Sequence, residues 1–217
     1  GATGPGQGRY FWTFVAKIPA DAKGSYQFGI EGYRTTTVLE GTKKQRSIRD
    51  YGANAIYSAS LGNEPSAPRR TVVSTANCNK CHYVLEFHGG NRNDAQMCTF
   101  CHNPNLTEGA QATSWNYATM IHRYHGEEVR YPGILQNCSQ CHTGNSQSLP
   151  LKEGLQPVKN GLAPINPTPP ATNACLSCHN ETQAWQHAAS NISTLGESCS
   201  VCHGAGKDFD VAKVHAQ

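Results

Sequence analysis

Charge is scarce in this sequence, and long apolar runs are missing from it. Only 15% of the residues are Asp, Glu, Lys or Arg, and the formal net charge is +3. So small an excess gives no electrostatic footprint for nucleic acid or an anionic membrane surface. No run approaches the ~20 apolar residues of a membrane span, and no signal peptide opens the chain. Hydrophobic residues make up 37% of the 217, beside 21 Gly and 12 Pro, so a conventional core would be thin in a loop-rich chain. Methionine occurs twice, at Met97 and Met120, and the first 75 residues contain neither cysteine nor histidine. Any chemistry of thiols and imidazoles is therefore confined to the rest.

There the cysteines follow one rule. All ten fall in five copies of C-x-x-C-H: Cys78, Cys81 and His82; Cys98, Cys101 and His102; Cys138, Cys141 and His142; Cys175, Cys178 and His179; Cys199, Cys202 and His203. A C-x-x-C pair is also half of a zinc site or a thioredoxin-like redox motif. Neither of those, nor a disulfide framework, requires a histidine after the second cysteine in every copy. Covalent haem attachment does: two thiols add to the two vinyl groups of one porphyrin, and the next residue gives the iron its proximal imidazole. Five porphyrins would also make good the thin core, each being a large flat apolar body for short segments to pack on. Their ten propionates and five ferric cores would move the net charge to about −2.

Five further histidines remain: His88, His122, His125, His187 and His215. Five haems and five spare imidazoles imply histidine on both axial faces, a closed low-spin iron that suits electron transfer rather than substrate binding. Met97 and Met120 are then read as packing residues. His122 and His125 stand three apart, on one face if helical, so they should serve two different haems. His88 lies six residues after His82 and, if the segment is helical, projects from the same rod, so it should ligate a neighbour of the first haem.

Along the chain, Tyr10, Trp12, Phe14, Ala16 and Ile18 alternate with Phe11, Thr13, Val15 and Lys17, and Tyr26, Phe28 and Ile30 continue the period of two expected of half-buried strands. Weaker strand candidates are 35–39, 53–59 and 71–74. Lys43, Lys44, Arg46 and Arg49 read as a solvated basic loop. Glu64-Pro65-Ser66-Ala67-Pro68 marks a boundary. The motifs should lie on short helices whose first turn carries the cysteine pair, 112–124 should be a longer helix, and the proline-rich 143–173 an extended loop around the haems. The expected architecture is a mainly irregular and α-helical multihaem cytochrome domain over 76–217, preceded by a small all-β, barrel- or sandwich-like region over 1–75 for docking or assembly.

The order of segments adds a resemblance. Cys78–His82, His88-Gly89-Gly90-Asn91-Arg92, Cys98–His102 with Asn103-Pro104, Met120-Ile121-His122-Arg123-Tyr124-His125-Gly126, Tyr131-Pro132-Gly133 and Asn137-Cys138–His142 resemble the outer-surface decahaem cytochromes of metal-reducing bacteria, the OmcA/MtrC family. Ile18-Pro19-Ala20-Asp21-Ala22-Lys23-Gly24-Ser25-Tyr26 looks like the end of that family's β-domain. The resemblance implies β-domains beside pentahaem domains, here one such module, with His88, His122 and His125 as distal ligands. It also implies electron transfer outside the cell to other cytochromes, minerals, flavins or further soluble acceptors. Haem attachment happens beyond the cytoplasmic membrane, so an export signal is expected to have preceded Gly1. A non-enzymatic carrier is the main expectation; the alternative is a multihaem reductase of the nitrite or hydroxylamine type with one open haem. A conductive polymer of copies of the chain is a further expectation, with His215 serving its own or a neighbour's iron.

Overall fold

The computed structural model describes residues 3–6, 9–63, 65–127, 137–152 and 154–215. Tyr131-Pro132-Gly133 and Glu64 lie outside the described residues. The chain separates into two compact units, one formed by 1–28 with 57–69, the other by 29–56 with 70–217.

In the first unit, β1 (Thr3–Gly6) pairs antiparallel with β2 (Arg9–Phe11), Thr3 opposite Phe11. The strand expected through Ile18 stops at Phe11. A period of two becomes a strand only when one face is covered, and here Trp12, Phe14, Val15 and Ile18 are all exposed. The second ribbon pairs β3 (Gly24–Ile30) with β6 (Ala55–Leu61). Phe14 meets Phe28 at 6.0 Å between ring centres, and Gln27 Nε2 donates to Ser58 Oγ at 3.3 Å.

The second unit opens with a hairpin of β4 (Tyr33–Val38) and β5 (Arg46–Tyr51), in register from Tyr33 opposite Tyr51 to Val38 opposite Arg46. The basic stretch is therefore only half loop: Lys43 and Lys44 lie in the turn, Arg46 and Arg49 in β5. Both faces of β5 are largely solvated, so it shows no apolar alternation. Asn54 and Asn93 fasten the hairpin base to the loop after the first motif, each side chain accepting the other's backbone N–H at 2.8–2.9 Å. Arg92 adds an ion pair with Glu31 at 2.8 Å.

The rest is short helices and irregular chain. Helices α1 (Thr75–His82) and α2 (Ala95–Cys101) start at Ser74 and Asp94, whose side chains accept the N–H groups of Asn77 and Gln96. The two starts are stitched together, Thr75 Oγ1 accepting the Ala95 N–H at 2.9 Å. After the ribbon β7 (Thr107–Glu108) and β8 (Thr113–Ser114) comes α3 (Tyr117–Glu127). It begins five residues later than expected because Ala112 adopts φ 48°, Thr113 and Ser114 are held in β8, and Asn116 then caps the helix, accepting from Ala118 N at 3.1 Å. A 3₁₀ turn covers Cys138–Gln140. The loop from 143 is irregular as expected, apart from a bridge between Val158 and Thr168. It ends early, because Pro170 begins α4 (Pro170–Cys175), where a missing N–H is harmless. Helix α5 (Thr182–Ser190), the ribbon β9 (Ile192–Ser193) and β10 (Gly196–Glu197), α6 (Ser200–His203) and α7 (Val211–His215) complete the unit.

The cysteine pairs do not all sit in first turns. In α1, α2 and α4 they lie at or run past the C-terminal end; only the 3₁₀ turn and α6 start with them. Each helix carrying a pair ends by the histidine, where the chain must turn away, as at Tyr83 with φ 60°. Among the described residues the buried apolar side chains are few and small: Leu85, Ala95, Leu149, Val158, Ala171, Leu176 and Ala188.

Candidate haem sites

The ten imidazoles come together two by two. Ring centres are 6.0 Å apart for His82 and His125, 6.2 Å for His88 and His102, and 6.1 Å for each of His122 with His142, His179 with His215, and His187 with His203. Every pair joins one histidine that follows a C-x-x-C to one that does not. A metal ion about 2 Å from each of two imidazole nitrogens separates their ring centres by about 6 Å. The residues present thus fit a metal held between two histidines, with a cysteine pair beside it. Among the described residues, no group of three or more His, Cys, Asp or Glu converges as in a zinc cage.

Second partners hold one ring of each pair. His102 Nδ1 donates to the Trp115 carbonyl at 2.8 Å, and His203 Nδ1 to the Phe209 carbonyl at 3.1 Å. His125 and His215 donate to the carbonyls four residues earlier, Ile121 and Val211, both at 2.9 Å. His142 Nδ1 donates to Ser146 Oγ at 2.9 Å. A ligand imidazole bonded through Nδ1 presents Nε2 to the metal in a fixed tautomer. Burial pushes the His122 imidazole down to about 4, with smaller contributions from His142 and His125, so its ring is neutral near pH 7 and its lone pair is available.

Six of the thiols are unlike reactive cysteines. None forms a disulfide. Burial pushes Cys78, Cys98, Cys138, Cys141 and Cys199 up, and Cys175 to about 11. Such sites disfavour a thiolate and accommodate a neutral thioether without penalty.

Helix α3 places four motifs around itself. His125 faces His82 of the first motif, and His122 faces His142 of the third. The Tyr117 N–H donates to the His102 carbonyl of the second at 3.0 Å. Near the end of α3, a Cβ on Gly126 would stand 2.9 Å from Cys178 Sγ of the fourth. Asn77 Nδ2 donates to the Cys141 carbonyl at 3.1 Å, joining the first motif to the third. The fifth approaches the fourth through Glu197, whose carboxylate accepts the Ala171 and Thr172 N–H groups at the start of α4.

Residues 70–216 match a family model described as outer membrane cytochrome MtrC/MtrF-like, domains II/IV. The chain belongs to this family. The crystal structure of MtrC from Shewanella baltica OS185 matches this MtrC/MtrF-like chain over its whole length at a TM-score of 0.58 and 22% identity, which shows the fold. A curated relative, the electron transfer subunit of the periplasmic nitrate reductase of Wolinella succinogenes, is 28% identical over 129 residues, 55% of this chain. The chain spans 33% of the MtrC chain and 61% of the nitrate reductase subunit. As an MtrC/MtrF-like cytochrome it takes c-type haem as its cofactor. Among the described residues there is no closed barrel, and each sheet has two strands.

Sequence reasoning missed the Trp115 and Phe209 carbonyls, the Ser146 hydroxyl and Glu197. Backbone acceptors carry no residue signature. The carbonyls of Ile121 and Val211 were within reach of it, since on a helix any histidine can fold back to residue i−4.

Proposed function

We propose that the chain is an electron-transfer protein carrying five c-type haems, each between two histidines, and that it conducts along a row of sites outside the cell. The supporting observation is the exhaustive pairing of ten imidazoles into five couples, each containing one motif histidine. The cysteine pairs from Cys78 to Cys202 would hold the porphyrins, His82, His102, His142, His179 and His203 would be proximal, and His125, His88, His122, His215 and His187 distal, in that order. Iron so held supplies one-electron exchange between ferric and ferrous states. The paired histidines would hold the iron on both sides and leave no position for a substrate, which favours a carrier over a reductase. The contacts made by α3, Asn77 and Glu197 suggest the row second, first, third, fourth, fifth.

In this reading residues 76–217 hold the haems and 1–75 serve docking or assembly. Other multihaem cytochromes, copies of the chain, minerals or flavins would exchange the electrons at a cell-surface or extracellular location. No helix among the described residues is long and apolar enough to cross a membrane. Because His215 pairs with His179 of its own chain, a polymer would conduct across haem edges rather than through shared ligands. Intact-mass measurement on protein from cells tests the stoichiometry: five haem masses above the polypeptide are expected, and four or fewer would refute it.

A further inference from the structure

Four of the five pairs share one arrangement. One ring, that of His125, His102, His215 or His203, gives its Nδ1–H to a backbone carbonyl. The other ring is that of His82, His88, His179 or His187. In the pair of His122 and His142 neither ring gives its Nδ1–H to a backbone carbonyl. His122 Nδ1 is sealed from solvent and meets no acceptor among the described residues. His142 Nδ1 has only the Ser146 hydroxyl at 2.9 Å, whose own proton goes to the Val72 carbonyl at 2.8 Å. Arg70 brings positive charge within electrostatic range of His142.

All of these act in one direction. A ligand imidazole that donates Nδ1–H to a good acceptor is the more basic, and it favours ferric iron. An unbonded Nδ1 and a neutral hydroxyl withhold that push. Burial penalises the extra charge of the ferric core, and Arg70 repels it. Resting on the bis-histidine reading above, we propose that the site of Cys138, Cys141, His142 and His122 has the highest reduction potential of the five. The first electron from an external one-electron donor, turning one ferric iron ferrous, then settles at the middle of the row, where the first and fourth sites both adjoin it. Ser146 and Arg70 are tuning residues for that site, not ligands.

A reductive titration of the holoprotein followed by low-temperature EPR tests this, on the natural chain and on Ser146→Ala, Ser146→Thr and Arg70→Gln. The His122 and His142 rings are nearly parallel, at 8°, whereas His187 and His203 stand at 83° and His82 and His125 at 71°. Parallel rings donate into one iron orbital and give a rhombic low-spin signal; crossed rings give a highly anisotropic one. His88 and His102, at 32°, would also give a rhombic signal, so the signal that vanishes first should be the rhombic one whose midpoint moves in Ser146→Ala. Ser146→Ala should raise the midpoint of that signal, by about threefold in its reduction equilibrium. Ser146→Thr should leave it in place, and Arg70→Gln should lower it. A different signal vanishing first, or Ser146→Ala and Arg70→Gln both leaving the first one unmoved, overturns the proposal while the bis-histidine reading stands. Stoichiometric high-spin iron in the natural chain would remove that reading itself.

Discussion

At His122 burial is the main cause of the neutral ring, and at its neighbour three residues on a hydrogen bond to Ile121 decides the tautomer. These two residues test the ligand assignment most sharply. His122→Ala should open the haem of Cys138 and Cys141, and His125→Ala the haem of Cys78 and Cys81. Each variant should gain one high-spin EPR signal, with different midpoints in the two. A perturbation of the same iron by both would contradict the pairing. The cysteine motifs were legible because their chemistry is contiguous in the chain. The distal set was legible by counting and by the three-residue spacing of His122 and His125. What set each ring's orientation was not, because it lies in carbonyls such as that of Trp115, brought near by a fold built around prosthetic groups.

Among the elements, α3 and α4 carry most of the arrangement. Thr119 Oγ1 donates to Asn173 Oδ1 at 2.9 Å where the two helices pack, and Glu197 caps α4 from a distant ribbon. Removing that carboxylate leaves two N–H groups without their acceptor and takes a negative charge from a helix start, at a cost of about 1–2 kcal/mol. Glu197→Ala should therefore lower the thermal midpoint while keeping the full haem complement, as read by calorimetry and a pyridine haemochrome assay. Gly126 is constrained by approach rather than by its backbone. Gly126→Ala would press a methyl against Cys178 Sγ, and should reduce the yield of mature protein more than Gly32→Ser does at an open, exposed position with ordinary backbone. Element boundaries were the least legible part of the fold. Alternation over 10–18 promised a strand that nothing covers, and Arg46 to Tyr51 formed one with no apolar face to announce it.

For the molecule as a whole, the thin apolar core and the five histidine couples describe one situation: segments too short to fold on one another arranged about large flat cofactors. Two-stranded sheets leave unpaired edges, which invite strand addition by a partner. Assembly is therefore expected to proceed through 1–75. Light scattering should show particles larger than one chain, and deletion of 1–69, which leaves Val72, Ser74 and Thr75 in place, should return them to one chain with haem absorbance intact. The central claim is five irons, each closed by two histidines. Low-temperature EPR of the fully oxidised protein, integrated against protein concentration, addresses it most directly. The account predicts low-spin signals only, summing to five irons per chain. A high-spin signal amounting to one iron, or a total of four or fewer, would contradict it.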